Sequence, residues 1–423
     1  MVTLETLRVI LVSDWFLPRK GGVETAIYNL AKSLVEKGHD PIVLTHQTRL
    51  QPNPPIIDET PGFPVVRLRV PLNGDDYTTS YKAALLLFDF IKHNAPDVIH
   101  GHSLLSPFAL LAIHGGKGIL GVPTVLTHHS LVYEELRYRQ LKMARYALSR
   151  VDVPTAVSKV VKEDLQKIMG GKREVMVTPN CIRLKEWVRL ERSYDGDPVV
   201  SFVSRLTERK NPLLALKAFE EIRRDYPGAK LYIAGWGPLR VRLLSEISRK
   251  GLEKDVVYLG PLDREKVRSL LSSTDLFLMP GKKEAFSIAT LEALALGVPV
   301  VGFKGTGLED MVKHGYNGFL ACSDDEFIEL SLRLAGDEGL RRAMSARAVE
   351  TSKKFDCNVV VDSYIDAYKK ALESCANERR LLIYRLYRVL RRDPVKPGEW
   401  CDGRKTVYHE VPPKRSGVPH IRR

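Results

Sequence analysis

The sequence predicts an α/β protein of two doubly wound, Rossmann-like domains facing each other across a cleft, with a basic amphipathic tail. Three observations carry this. Short β-branched runs alternate with helical patterns through the body, the mark of parallel sheets crossed by helices. The alternation pauses at Ser193-Tyr194-Asp195-Gly196-Asp197-Pro198 and restarts at Val199-Val200-Ser201-Phe202-Val203. The chain has 423 residues, too many for one ordinary domain.

In the first half, strands are expected at 7–13, 41–45, 64–70, 97–101, 122–127, 152–157 and 174–178. Between the first two, Val23, Ile27, Leu30, Ala31 and Leu34 recur at helical spacing and Gly38 ends the helix. In the second half, strands are expected at 198–203, 229–234, 256–260, 275–279 and 298–302. A helix follows at about 355–372. The chain therefore divides at 1–194, 195–355, 356–376 and 377–423. In such folds a ligand lies at the carboxyl ends of the strands.

The tail differs from the rest. From residue 377 onward, thirteen Lys/Arg face five Asp/Glu, a net +8 out of +14 for the whole chain. The body is nearly balanced, which argues against a nucleic-acid binder. Within 378–392, Leu382, Ile383, Leu386, Tyr387, Val389 and Leu390 share one helical face, and Arg380, Arg385, Arg388, Arg391 and Arg392 the other. This is the pattern of a helix lying on an anionic membrane surface. The alternative is packing back on the body, with Tyr384 and Tyr387 filling a groove. The sequence has no run of about 18 or more uncharged apolar residues, so no spanning helix is expected, and no signal-peptide pattern precedes the first strand. The five cysteines are scattered and odd in number, so neither a disulfide framework nor a zinc site is expected. A reducing cytoplasm is the expected setting, with peripheral contact to the membrane face.

Three motifs carry chemistry. Gly21-Gly22-Val23-Glu24 opens the first helix, where bare backbone and the helix dipole suit a phosphate. The alternative is a tight strand-to-helix turn. Next, Val203-Ser204-Arg205-Leu206-Thr207-Glu208-Arg209-Lys210 follows the first strand of the second half. Arg205 offers a planar fork for phosphate and Lys210 a point charge. Third, Glu284-Ala285-Phe286-Ser287-Ile288-Ala289-Thr290-Leu291-Glu292-Ala293 carries two glutamates around a helix start near Ser287. Amides of Phe286, Ser287 and Ile288 could hold phosphate or sugar oxygens. The two carboxylates suit sugar and ribose hydroxyls. Asp75-Asp76 and Asp324-Asp325 fall in loop-like stretches and read as solvated or capping residues, not as a metal-binding cluster.

These motifs, with Ala234-Gly235-Trp236-Gly237-Pro238 and Gly318-Phe319-Leu320, resemble in type and order those of the family-four retaining glycosyltransferases. The likeness covers roughly 7–372. Ser13-Asp14-Trp15-Phe16-Leu17-Pro18, Val98-Ile99-His100-Gly101-His102-Ser103 and Thr127-His128-His129-Ser130 resemble the subgroup that moves N-acetylglucosamine from a UDP donor onto phosphatidylinositol. The resemblance implies a GT-B fold, with an acceptor-side first half and a donor-binding second half. It implies transfer without a metal or cofactor, a nucleotide-sugar donor, and a lipid or carbohydrate acceptor. Gly21 and Gly22 would border the donor, and Arg205 and Lys210 would bind its diphosphate. Glu284 would meet the sugar, Glu292 the ribose, and His129 a sugar hydroxyl or the developing charge. The base would lie near Leu259-Gly260-Pro261-Leu262. Ala285 and Ser287 replace glycines common in that family. The competing readings are a nucleotide-sugar epimerase, a phosphorylase, or a non-catalytic scaffold for a membrane or partner.

Overall fold

The computed structural model describes residues 6–19, 21–46, 57–58, 62–68, 81–171, 173–188 and 196–375. The first half holds strands β1 (Arg8–Val12), β2 (Asp40–His46), β3 (Ile57–Asp58), β4 (Val65–Leu68), β5 (Val98–His102), β6 (Thr124–His128), β7 (Val153–Ala156) and β8 (Met176–Val177). Its helices are α1 (Gly22–Glu36), α2 (Tyr81–Asn94), α3 (Pro107–Leu120), α4 (Tyr138–Ser149) and α5 (Lys159–Met169). The second half holds β9 (Val199–Val203), β10 (Lys230–Ala234), β11 (Val256–Gly260), β12 (Leu276–Leu278), β13 (Val300–Phe303) and β14 (Gly318–Ala321). Its helices are α6 (Pro212–Asp225), α7 (Arg240–Arg249), α8 (Arg264–Ser272), α9 (Ile288–Ala295), α10 (Asp324–Gly336) and α11 (Glu338–Ser352), and α12 (Cys357–Ser374) follows.

The first sheet runs β3-β4-β2-β1-β5-β6-β7-β8 and the second β11-β10-β9-β12-β13-β14. All pairings are parallel except β3 with β4. Strand order reverses beside β1 in one sheet and beside β9 in the other. Crevices therefore open past the carboxyl ends of β1 and β5, and of β9 and β12.

Local chemistry explains the helix ends. Ser106 accepts from the amide of Ala109 to cap α3, Pro107 fills its first position, and Gly121 ends it in the left-handed region. Ser158 and Gly170 cap and end α5 in the same way. The central strands are buried on both faces, as covered parallel sheets must be. Helix α12 returns to the first half, where Val360, Val361, Tyr364 and Tyr368 join one core with Leu11, Ile27 and Leu34.

Several expectations change. Two strands add to those expected, β3, of two residues, and β14, which opens on a glycine. Asp324 and Asp325 stand in the first turn of α10, not in a loop; Ser323 caps it and the acids complement its dipole. Cys181 and Cys357 form a disulfide across 176 residues, against the expectation of none. The fold, not local spacing, brings the two sulfurs together. The expected basic helix at 378–392, Asp75-Asp76 and the last two residues of the expected strand at 64–70 lie outside the described residues. Among the described residues, no helix is long and apolar enough to cross a membrane. No group of three or more His, Cys, Asp or Glu among them is placed to hold a metal ion.

Candidate active site

The loop after β9 is fixed backbone to backbone. Ser204 donates to Ala234 O and Leu206 to Trp236 O, each at 3.0 Å. A Cβ on Gly237 would lie 2.3 Å from Leu206 O, and one on Gly235, at φ +137°, would lie 1.8 Å from Ser204 O. Only glycines let these turns touch. Arg205 is left exposed at the crevice. One 3-10 turn later, Lys210 reaches an ion pair with the buried Glu284. Asn211, at φ +47°, then caps α6 by accepting from Leu214. Lys210 and Glu284 thus meet where strand order reverses, and Arg205 stands exposed on the same loop as Lys210.

The Glu284 loop is held from three sides. Arg209 Nε donates to Lys283 O at 2.8 Å. Gly307 N donates to Glu284 O at 2.7 Å. From the first half, Ser158 Oγ donates to Ala285 O at 2.6 Å. Ser287 keeps φ +72° although it is not glycine, and its hydroxyl accepts from Thr290 N at 3.2 Å and Thr290 Oγ1 at 2.9 Å. The cap offsets the backbone strain. Among the described residues, nothing accepts from the amides of Phe286, Ser287 or Ile288. They remain open at the start of α9, while the Phe286 ring is buried against Phe355.

Glu292 stands apart from the Lys210–Glu284 pair, one turn into α9. Burial raises its pKa to about 7, with partial relief from the charge of Arg264. That value suits a group able to donate as well as accept at neutral pH.

The opposing wall belongs to the first half. Gly21 caps α1, and a Cβ there would meet Glu24 Oε2 at 2.3 Å, so this glycine makes room for Glu24. At Gly22 an added Cβ meets nothing within 4 Å, so its bare backbone faces open space. Burial raises the Glu24 pKa, and its own amide, Arg19 and Arg205 pull it back. The Arg205 influence crosses the cleft. Asp14, just past β1, is pushed to about 6 by burial although Phe108 N donates to it at 3.1 Å.

Four histidines stand on β5, at the end of β6 and just past it. His100 is fully buried, 2.9 Å from Tyr368 Oη and 2.7 Å from Thr127 Oγ1. A threonine ladder, Thr127–Thr155–Thr178, extends this network under the cleft. His128 Nδ1 accepts from Leu104 N at 3.1 Å, which places its proton on Nε2. Burial lowers His100 to about 3 and His128 to about 4, so both are neutral structural members. His129 is less enclosed. Its Nε2 lies 3.1 Å from His102 Nδ1, with the rings stacked. Burial and the neighbouring imidazoles push both pKa values well down, so one proton sits between two neutral rings. The charge of Arg209 is felt at His128, so the histidine wall faces the Arg205–Lys210 loop.

Sequence reasoning gave no role to Glu24 or Asp14, although both stand inside quoted motifs. It also passed over Trp236, 65% exposed between the Arg205 loop and the Leu259–Leu262 region.

Two family models match in tandem: "Glycosyltransferase Family 4" over residues 20–186 and "Glycosyl transferases group 1" over 185–351. A phosphatidylinositol N-acetylglucosaminyltransferase subunit from Arabidopsis thaliana is 28% identical over 72% of this chain and 69% of its own length. The human protein of the same name is 31% identical over 73% of this chain and 64% of its own length, so the chain spans under two thirds of that relative. N-acetyl-alpha-D-glucosaminyl L-malate synthase from Bacillus anthracis is 26% identical over 66% of this chain and 76% of its own length. Among solved structures, sucrose-phosphate synthase from Thermosynechococcus elongatus superposes with a TM-score of 0.74 at 18% identity, covering 87% of this chain and 100% of that one. Anabaena HepE in complex with UDP and glucose gives 0.70 at 19% identity, covering 85% and 98%. With the two family models running in tandem through both sheets, the chain belongs to the family 4 glycosyltransferases and has the GT-B fold.

Proposed function

We propose that this enzyme moves N-acetylglucosamine from its UDP conjugate onto a hydroxyl of an inositol phospholipid or similar lipid-linked acceptor, with retention and without a metal. The observation that carries the reading is the Lys210–Glu284 pair, its lysine on the loop that also bears Arg205, with the charges of Arg205 and Arg209 felt across the cleft at Glu24 and His128. Relatives named as N-acetylglucosaminyltransferases support the choice of sugar, and those named for phosphatidylinositol support the acceptor.

Arg205 and Lys210 grip the diphosphate and neutralise the charge that grows on it as it leaves, a role otherwise open to a divalent ion. Glu284 orders Lys210 and accepts from sugar hydroxyls. Glu292 binds the ribose hydroxyls. His129, neutral, hydrogen-bonds a sugar hydroxyl instead of supplying a cation. The bond between the anomeric carbon and the phosphate oxygen breaks, its electron pair staying with phosphate. The acceptor oxygen bonds to the same face of that carbon, and its proton passes to the leaving phosphate oxygen. No protein nucleophile is required.

The work is peripheral to a membrane, on its cytoplasmic face. The Cys181–Cys357 bond is buried and thus sheltered from cellular thiols, so it does not oppose that setting. The test incubates the full chain, with chelator, with UDP-N-acetylglucosamine and phosphatidylinositol vesicles, and reads products by mass spectrometry and anomeric proton coupling. An α-linked lipid product is expected. Transfer to soluble acceptors alone overturns the acceptor, a β-linkage overturns retention, and rescue only by added magnesium or manganese overturns metal independence.

A further inference from the structure

Helix α4 turns an unusual face to solvent. Tyr138, Met143 and Tyr146 are 71%, 72% and 58% exposed, and they share one 12-residue helix. Ordinary surface helices show scattered single apolar residues, not three large ones together. Its other face is conventionally buried, with Ala144, Ala147 and Leu148 in the first-half core. On a helical wheel Tyr138, Lys142, Tyr146 and Arg150 form one row, flanked by Arg139 and Met143. From Arg137 to Arg150 the segment carries five Lys/Arg and no Asp/Glu. Lys142 lies 4.5 Å from the Tyr138 ring centre and Arg150 lies 5.4 Å from that of Tyr146. The cations can stay hydrated while the rings and thioether enter an apolar layer.

The helix also stands beside the cleft. It follows His129 by way of the turn at Tyr133–Glu135, and Glu134 and Glu135 reach Lys283, next to Glu284, at 3.4 and 3.8 Å. A surface resting on α4 therefore meets the protein near the mouth where acceptor and donor must join.

We propose that the α4 face is a docking surface for an anionic lipid bilayer, seating the cleft against the lipid that carries the acceptor. The proposal rests on the lipid-acceptor reading above only for its purpose; the binding itself does not depend on it. Aromatic and Met side chains interleaved with positive charge match the headgroup boundary of a negative membrane. The chain's own segment 376–423 is an unsuitable occupant, because it too is strongly basic.

The test uses the full chain and vesicles of phosphatidylcholine with one third phosphatidylglycerol, against phosphatidylcholine alone, by sedimentation at low and high salt. One variant is Arg139→Glu with Lys142→Glu; the other is Tyr138→Ser with Met143→Ser and Tyr146→Ser. All five side chains lie on the solvent side of α4, and an unchanged circular-dichroism melt verifies folding. Each cation near an anionic surface is worth a factor of about five in partitioning. Loss of at least about tenfold is therefore expected in each variant, even if other segments also bind, because contributions to one surface multiply. Binding of the wild-type chain should favour the anionic vesicles and weaken with salt. Unchanged partitioning in both variants, or no vesicle binding by the wild-type chain, overturns the proposal. No donor or acceptor turnover enters the assay, so an error in the substrate assignment leaves this result intact.

Discussion

Lys210 and Glu284 stand 74 positions apart in sequence, yet form an ion pair beside the crevice of the second sheet. Either residue alone reads as an ordinary charged side chain; the adjacency of β9 and β12 makes them one unit. Both are largely buried, so removing one strands the other. Lys210→Ala and Glu284→Gln should each lower kcat/KM, and the double variant should lose much less than the two losses combined. A coupling of roughly 1–3 kcal/mol in a double-mutant cycle is expected, whereas additivity would show that the pair does not act together. Ser287 offers a second residue-level test. Its hydroxyl caps α9 while its backbone occupies a region that favours glycine. Ser287→Ala keeps the strain and loses the cap, so a loss of about 1 kcal/mol is expected. Ser287→Gly relieves the strain and loses the cap, so its urea midpoint should stay near the wild-type value. This substitution was visible in the sequence as a departure from family glycines, but whether the loop would change shape was not. Ser287 holds φ +72° with its hydroxyl bonded to Thr290, a partner that spacing alone does not show.

At the level of elements, most strands of the two sheets were legible because buried parallel strands are dense in Val, Ile and Leu. Two of the four edge strands, β8 and β11, were legible too; β3 and β14 were not, since β3 has two residues and β14 begins with a glycine whose Cβ would lie 2.3 Å from Val300 O. The motifs at strand ends were legible one by one. Their neighbours were not, since sheet order decides which loops touch. Thus His129 was a candidate from sequence, but its coupling to His102 needed β5 beside β6. The turn after β10 shows the same dependence. Its glycines matter because the backbone of the Arg205 loop passes against them. Gly237→Ala should push the two turns apart and misplace Arg205, weakening UDP binding by about tenfold, or 1.4 kcal/mol. Calorimetry with UDP checks this, and wild-type affinity would show that the loop tolerates the shift.

Across the whole molecule, the buried titratable groups set how stability responds to acid. His100, at about 3, His128, at about 4, and His102 and His129, well below 6.5, all resist protonation in the fold. Burial lowers the half-buried His39 and His114 as well. The unfolded chain protonates them near 6.5, so their contribution is intact above that pH and is lost as pH falls below it. Glu292, near 7, and Asp14, near 6, act in the opposite sense, because the folded state binds their protons first. Glu24 and Asp164, also raised by burial, join them. Six groups against four leave a net loss toward acid. Each unbalanced group changes stability by up to about 1.4 kcal/mol per pH unit. The urea midpoint should therefore be lower at pH 5 than at pH 7.5; a midpoint that rises in acid would mean that the histidines are not held neutral. None of this was legible from histidine positions alone, because the shifts come from burial under α12 and between strands.

The two chain crossings between the halves meet at one place. Ile182 N donates to Phe355 O at 2.9 Å, Cys357 N donates to Ile182 O at 3.0 Å, and the α-carbons of Cys181 and Cys357 are 4.8 Å apart. The chain therefore leaves its first body at residue 182 and returns to the same spot at 356, as an insertion does in a host fold. A genetic exchange replacing this stretch needs two cuts that lie side by side in space, and it leaves the ends of the host already aligned. The second sheet can then be exchanged as a cassette, while the first sheet and α12 keep their shared core.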